Sequence, residues 1–330
     1  MKTWKIRDIE IKNQVTIAPM AGISNTAFRT LVAHYQPGLI YTEMVSDKAI
    51  VHGNQKTLDM TIVSPDEHPI ALQLFGEDID TMTQAAIYLD QHSDCDIIDI
   101  NMGCPVPKIV KGSGGAALMK EPEKAFAIVE SIVKAVKKPV TVKMRLGWDS
   151  NHMNVVEMAV GLEKAGASAI AIHGRTRVQM YSGNADYKLI KAVKESVKIP
   201  VIVNGDITSL DKAKQALEDT QADALMVGRG VLGQPWFIKE LVEGLNGQSF
   251  EGVSVEERFD IARLHAQKLV ELKGENLGIK EMRGQFGWYL KGLPHSRSVK
   301  EEISKMLSLE DFDRIMKNYQ EELEQENNGY

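Results

Sequence analysis

Residues Pro200–Gly230, PVIVNGDITSLDKAKQALEDTQADALMVGRG, contain one complete structural unit. The run Val201-Ile202-Val203 is β-branched and continuous in hydrophobicity, and it ends in Asn204-Gly205-Asp206. Strands read this way when both faces of a parallel sheet are covered. A helix-period segment follows over Leu210–Glu218, with Ser209 or Thr208 placed to cap its free N–H groups. Ala222–Gly230 repeats the strand pattern and ends in Gly228-Arg229-Gly230. The stretch is therefore strand, crossover helix and parallel strand.

The same unit recurs upstream. Apolar runs at Val15–Met20, Leu39–Ser46, Pro69–Phe75, Asp96–Met102, Pro139–Leu146 and Ala169–Arg175 precede the two above. Helical spacing fills Pro122–Lys137, Asn151–Ala165 and Tyr187–Ser196, the last with Asp186 at its cap position. Eight such alternations close most simply into an α/β (β/α)8 TIM barrel. The rival, an open doubly wound sheet, carries a glycine-rich dinucleotide turn after its first strand. Here that strand ends Ala18-Pro19-Met20-Ala21-Gly22, which is not that turn. Beyond residue 245 the strand pattern stops, and Gly244, Gly247 and Gly252 punctuate a linker. Val255–Lys273, Leu277–Lys291, Ser298–Leu307 and Glu310–Glu326 read as helices, Ser308 with Asp311 starting the last. The expected domains are a catalytic barrel, 1–245, and a small C-terminal all-α helical bundle, 253–330, whose acidic tail Glu321–Tyr330 frays.

Composition sets outer bounds. The 330 residues are 43% hydrophobic and 25% charged, which excludes a mainly disordered chain. Two cysteines, Cys95 and Cys104, exclude a disulfide framework and a four-thiolate iron–sulfur cluster. Residues 1–8 show no apolar signal-peptide region, and no stretch reaches the roughly 18 apolar residues of a membrane helix. A cytoplasmic protein without membrane contact is expected. A net charge of −6 argues against indiscriminate polyanion binding.

Ligands of such barrels sit at the C-terminal strand ends. In order, the runs offer Met20-Ala21, Glu43, Gln73, Asn101, Lys143 with Arg145, His173 with Arg175, Asn204 with Asp206, and Gly228-Arg229. Polar residues at nearly every mouth predict a large polar ligand site. The last two ends place small residues and Arg229 where this fold binds phosphate, or the glycines only close tight turns. Lys143 lies inside an apolar strand, which demands a partner or a lowered pKa. It can form a Schiff base, as in a barrel aldolase, hold negative charge on a flavin or phosphate, or pair with an interior carboxylate. Cys104 follows the fourth strand in Asn101-Met102-Gly103-Cys104-Pro105, ahead of a glycine- and lysine-rich loop, Lys108–Gly115, read as flexible. A thiol there suits a general acid or nucleophile, against the bland reading of a small hydrophobe that Cys95 fits. His173 orients a ring nitrogen or carbonyl of a ligand, or caps a turn. No H-x-x-H or C-x-x-C spacing occurs, so no metal is expected.

With these residues the chain closely resembles the tRNA-dihydrouridine synthases, most nearly their bacterial B-type subfamily, from about Asn13 to about residue 320. The resemblance rests on Ala18-Pro19-Met20-Ala21-Gly22, Gln73-Leu74-Phe75-Gly76, Asp99-Ile100-Asn101-Met102-Gly103-Cys104-Pro105, Val142-Lys143-Met144-Arg145 and His173-Gly174-Arg175-Thr176. Asn204-Gly205-Asp206 and Gly228-Arg229-Gly230 complete it. It implies an FMN-dependent reductase that uses NADPH to saturate the C5–C6 bond of chosen uridines in tRNA. It further implies that Pro19, Met20 and Ala21 line the flavin, that Gln73 hydrogen-bonds its ring, and that Lys143 and His173 contact it. Asn204, Gly205, Asp206, Gly228 and Arg229 would hold its ribityl phosphate region. Hydride would reach uracil C6, and Cys104 would protonate C5. The base must be splayed from the RNA into the barrel mouth.

Asn101, Arg145, Arg175 and Thr176 lie where they either read uracil or make ordinary loop bonds. The stretch Lys280–Lys300 carries Arg283, Lys291 and Arg297 as expected tRNA phosphate contacts, while Trp288 and Tyr289 either stack on RNA or fill the bundle core. One departure stands out: B-type members commonly carry Lys-His where this chain has Gly284-Gln285. The competing readings are a Schiff-base aldolase, a catalytically silent RNA-binding module, and a flavoenzyme for a small enone or pyrimidine.

Overall fold

The structure, a computed structural model, describes residues 2–328. Eight strands form a closed parallel barrel: β1 (Val15–Ile17), β2 (Leu39–Ser46), β3 (Ile70–Phe75), β4 (Ile97–Met102), β5 (Val140–Arg145), β6 (Ala169–His173), β7 (Val201–Asn204) and β8 (Ala224–Val227). β8 pairs with β1 to close the ring. Long helices follow seven of them: α1 (Thr26–Ala33), α2 (Ile79–His92), α3 (Pro122–Ala135), α4 (Val155–Lys164), α5 (Tyr187–Ser196), α6 (Leu210–Thr220) and α7 (Phe237–Leu245). After β2 two short helices, Asp47–Val51 and Gln55–Asp59, take the place of one. Ser209 and Asp186 cap α6 and α5, accepting from the N–H groups of Lys212 and Lys188.

Several strands end earlier than their apolar runs. At β7 the reason is local: Gly205 and Asp206 take φ of 124° and 55°, which leaves the ladder and turns the chain outward. The residues lost from the strands become the barrel rim.

Side chains alternate between two environments along each strand. Outward residues such as Ile98, Ile100, Val142 and Ile172 pack under the helices in one large core. Inward residues change character along the barrel axis. Leu39, Tyr41, Ala71, Ile97 and Ala169 fill the lower end. Gln73, Asp99, Asn101, Thr141, Lys143, Arg145, His173 and Asn204 lie on the same inward register nearer the strands' C-terminal ends. A two-stranded antiparallel hairpin, Trp4–Ile6 and Ile9–Ile11, closes the lower end, with Trp4, Ile6 and Ile11 joining the inner cluster. The sequence reading missed it because three-residue strands are too short to show a period.

The C-terminal unit has four helices: α8 (Val255–Lys273), α9 (Glu275–Tyr289), α10 (Ser296–Ile303) and α11 (Leu309–Asn328). Ser254 and Glu257 form a capping box on α8, and Ser308 accepts from the N–H of Asp311 at the start of α11. The tail expected to fray is helical through Asn328, held by an apolar stripe that includes Tyr319 and Leu323. Met1 and residues 329–330, which the expected domain ranges include, lie outside the described residues.

The C-terminal helices have a core of their own, which also takes Ala27 of α1 and Trp236 of the barrel. On the same helix α1, Phe28 and Val32 belong to the barrel core. Phe28 also meets the bundle's His265, ring centroids 6.0 Å apart. A second seam lies at Gly233, where φ is 69° and a Cβ would fall 2.2 Å from the Trp288 carbonyl carbon. Only glycine fits both that backbone and that approach.

Candidate active site

A cavity of about 1050 Å³ opens at the C-terminal mouth of the barrel and extends to the helical unit. Its wall includes the expected Pro19, Met20, Ala21, Gln73, Asn101, Cys104, Lys143, Arg145, His173, Arg175, Asn204, Gly205, Asp206, Gly228 and Arg229. Lys291 joins them from the bundle. The inward register explains why residues so far apart in sequence converge.

Charge is distributed unevenly over this wall. Among the described residues Asp206 is the one carboxylate lining it, and both its oxygens accept from Arg175 Nη2, at 2.7 and 2.9 Å. Among the described residues Lys143, Arg145 and Arg229 form no ion pair. Lys143 Nζ reaches only Asn204 Oδ1, at 3.3 Å, and burial lowers its pKa to about 8. Arg145 donates to the carbonyls of Gly103, Thr176 and Met180, and Arg229 lies 4.2 Å over the ring of Tyr181. Burial, with Lys143, Arg145, Arg175 and Arg229 around it, pushes the His173 pKa down to about 2. Its imidazole is neutral at physiological pH. Arg175 Nη1, always a donor, faces His173 Nε2 at 3.4 Å, so Nδ1 carries the imidazole proton. Such a surplus of cations in a concave site favours an anionic ligand.

Cys104 sits at the edge of this surplus. Burial raises its pKa, so the thiol rather than the thiolate prevails at neutral pH. The loop behind it is folded rather than open. Residues Pro107–Lys111 form a short helix, Gly115 begins a 3-10 turn, and Ala116 N–H donates to the Cys104 carbonyl at 3.1 Å. Gly115 has φ of 59°, and a Cβ there would meet that carbonyl oxygen at 2.9 Å. Cys95 is buried outside the cavity, as expected of a small hydrophobe.

Other expected residues sit elsewhere. Glu43 does not line the cavity, because a bulge in β2 between Tyr41 and Met44 shifts the register and presents Met44 instead. Glu43 accepts from the Gly22 N–H. Thr176 is buried outside the cavity and exchanges bonds with Gln179, which is the loop-bonding alternative of the two expected for it. Arg175 is largely committed to Asp206, Ser182 and Gly183, and the Asn101 amide to Gln73 and the Gly103–Cys104 backbone. Arg283 is half-buried and donates to the Met306 carbonyl, tying α9 to the segment before α11. It is not a cavity residue. Arg297 is exposed, 3.8 Å from Glu301. Tyr289 is core and bonded to His265, whereas its neighbour Trp288 reaches the cavity rim. The reading missed Met44, Tyr181, Trp236 and Arg258, all of which line the cavity. Tyr181 and Arg258 lie in a loop and a first helical turn, where no period singles them out.

The family model for dihydrouridine synthase (Dus) matches residues 16–327. The chain belongs to the dihydrouridine synthase family. The chain is 42% identical over 304 residues to a probable tRNA-dihydrouridine synthase of Rickettsia bellii, covering 92% of this chain and 93% of that one. It is also 42% identical to tRNA-dihydrouridine synthase B of Shewanella oneidensis, covering 87% and 89%. The barrel resembles that of an old yellow enzyme homologue from Zymomonas mobilis, with TM-score 0.52 at 13% identity over 78% and 95% of the two chains. A 2-naphthoyl-CoA reductase gives TM-score 0.56 at 12% identity, over 75% and 52%. Those two likenesses show the fold. Family membership makes the chain a flavin-dependent oxidoreductase. Among its described residues no His/Cys/Asp/Glu group could hold a metal, and no helix is long and apolar enough to cross a membrane.

Proposed function

We propose that this protein reduces the C5–C6 double bond of specific uridines in tRNA, with FMN in the barrel mouth and NADPH as reductant. One observation carries the reading: a thiol kept protonated by burial lines the same cavity as three cations without carboxylate partners. The donor set fits a flavin mononucleotide. Arg229, beside Gly228 and the Asn204-Gly205-Asp206 turn, would hold its phosphate, where barrels of this class bind phosphate. Lys143 and the Nδ1–H of neutral His173 would face its ring, and the Gln73 amide keeps one N–H uncommitted. Pro19, Met20 and Ala21 would cover it. Bound there, the flavin supplies the hydride that adds at uracil C6.

The chain's own residues do the rest. Cys104 delivers its S–H proton to C5, which needs the thiol form that burial maintains. Arg145 keeps Nη2 for a base carbonyl or phosphate, while Asn101 acts on the Cys104 loop. Lys291 and Arg258, where bundle meets barrel, would take backbone phosphates. Mass spectrometry of nuclease-digested tRNA from cells with and without the gene tests the activity, and loss of specific dihydrouridines is expected. Unchanged tRNA, together with no reduction of unmodified tRNA by the pure protein, would defeat it. Cys104→Ala should keep flavin and tRNA binding and lose roughly 10²–10⁴-fold in turnover.

A further inference from the structure

Beneath the cavity a hydrogen-bonded chain runs in one direction. The carboxylate of Asp99, fully buried on β4, accepts from Thr141 Oγ1 and from Gln73 Nε2, both at 2.6 Å. Gln73 Oε1 then accepts from Asn101 Nδ2 at 2.7 Å. Asn101 Oδ1 accepts from the backbone N–H groups of Gly103 and Cys104, at 3.1 and 2.9 Å. All four side chains are at least nine-tenths buried, and only Gln73 and Asn101 touch the cavity, so a misdirected amide is costly.

The order of these bonds is fixed at both ends, by a carboxylate that only accepts and by backbone N–H groups that only donate. A side-chain amide has one donating and one accepting side, and an ionised carboxylate only accepts. Asp99 therefore draws the Gln73 NH2 toward itself, which turns the Gln73 oxygen to Asn101. That turns the Asn101 oxygen to the Cys104 backbone. We propose that Asp99 is a positioning residue: as the acceptor at the buried end, it completes a one-way Gln73–Asn101 relay that holds the Gly103–Cys104 backbone and so aims the Cys104 thiol into the cavity. Its catalytic meaning rests on Cys104 being the proton donor, but the relay can be tested without that reading. The other titratable groups facing Asp99 are Lys143 on β5 and Tyr41 on β2. Burial raises the Asp99 pKa to about 6.

The relay makes an unusual prediction about reversal. In Asn101→Asp, positions 99 and 101 both only accept when ionised, and the Gln73 NH2 can face only one of them while its oxygen faces the other. The folded protein then relieves the conflict by keeping one of the two carboxyls protonated, so it binds more protons than the unfolded chain and loses stability as pH rises. Adding Asp99→Asn lets position 99 donate. The relay then runs backwards, and position 101 still accepts from both backbone N–H groups.

The test compares the melting temperatures of the wild type, both single variants and the double variant from pH 5.5 to 8.5. Asn101→Asp should melt roughly 5–10 °C lower at pH 8, and less so at pH 5.5. The double variant should regain most of that loss, while Asp99→Asn alone, whose amide oxygen can still face Gln73, changes little. A double variant no more stable than Asn101→Asp would overturn the relay. Hydrogen exchange reads its far end directly. The Gly103 and Cys104 amides should exchange about tenfold faster in Asn101→Leu and remain slow in the double variant. Unchanged exchange in Asn101→Leu would also overturn it. If the relay passes both tests but Cys104→Ala keeps full turnover, the proton-donor reading fails and the relay stands.

Discussion

Lys143 shows how a single buried charge couples binding to stability. Its pKa of about 8 lies below the value of about 10.4 expected in the unfolded chain. Folding therefore releases a proton between those two values. The charged lysine opposes folding below pH 8, and this opposition fades as pH rises toward 10. Lys143→Met should raise the melting temperature of the flavin-free protein at pH 7 and flatten its rise above pH 8, while weakening flavin binding. Calorimetry across pH and a fluorescence titration of flavin check the two halves. A lower melting temperature at pH 7 would mean that Lys143 has a compensating partner. Its importance was legible because a lysine in Val140-Thr141-Val142-Lys143-Met144-Arg145 breaks an apolar run. Thr176 was not legible in this way, since nothing in sequence separates a threonine facing a cavity from one bracing a loop.

At the scale of elements, the barrel was legible because its strands are long apolar runs with helices between them. The inner and outer faces follow from period-two alternation alone, and so does the convergence of Gln73, Asn101, Lys143, His173 and Asn204. Where the alternation breaks, the reading failed. The β2 bulge exchanges Glu43 for Met44, and one extra residue suffices to turn a carboxylate away from the site. The joint between Gly233 and α9 was also invisible, because a glycine in a loop announces no partner. Gly233→Ala would place a methyl group 2.2 Å from a main-chain carbon that cannot step aside. It should lower the melting temperature and raise the KM for tRNA through a displaced Trp288 rim, with kcat affected less. A variant with wild-type melting and KM would show that the joint yields freely.

Considered as a whole, the molecule is acidic, with a net charge of −6, yet its mouth is basic. Lys143, Arg145, Arg175, Arg229, Arg258 and Lys291 line one cavity against the single carboxylate of Asp206. Such an arrangement steers a polyanion to one place and repels it elsewhere. Arg258→Ala with Lys291→Ala should weaken tRNA binding and flatten the log–log salt dependence by roughly 1.4–1.8, the yield of two lost phosphate contacts. Arg283→Ala should lower the melting temperature, since its Nε–H donates to the Met306 carbonyl. The charge run that drew attention to Arg283 does not tell a bridging side chain from a solvated one.

Helix α1 faces two ways, with Phe28 in one core and Ala27 in the other. Neither half of the chain can therefore lose its structure without stripping a wall from its neighbour. Ending the chain at residue 245 would uncover Ala27 and Trp236 to water and yield a sticky remnant rather than a smaller enzyme. Heated intact, the protein should give one calorimetric peak whose van't Hoff and measured enthalpies agree, behaving as a single cooperative unit although barrel and bundle each have hydrophobic cores of their own.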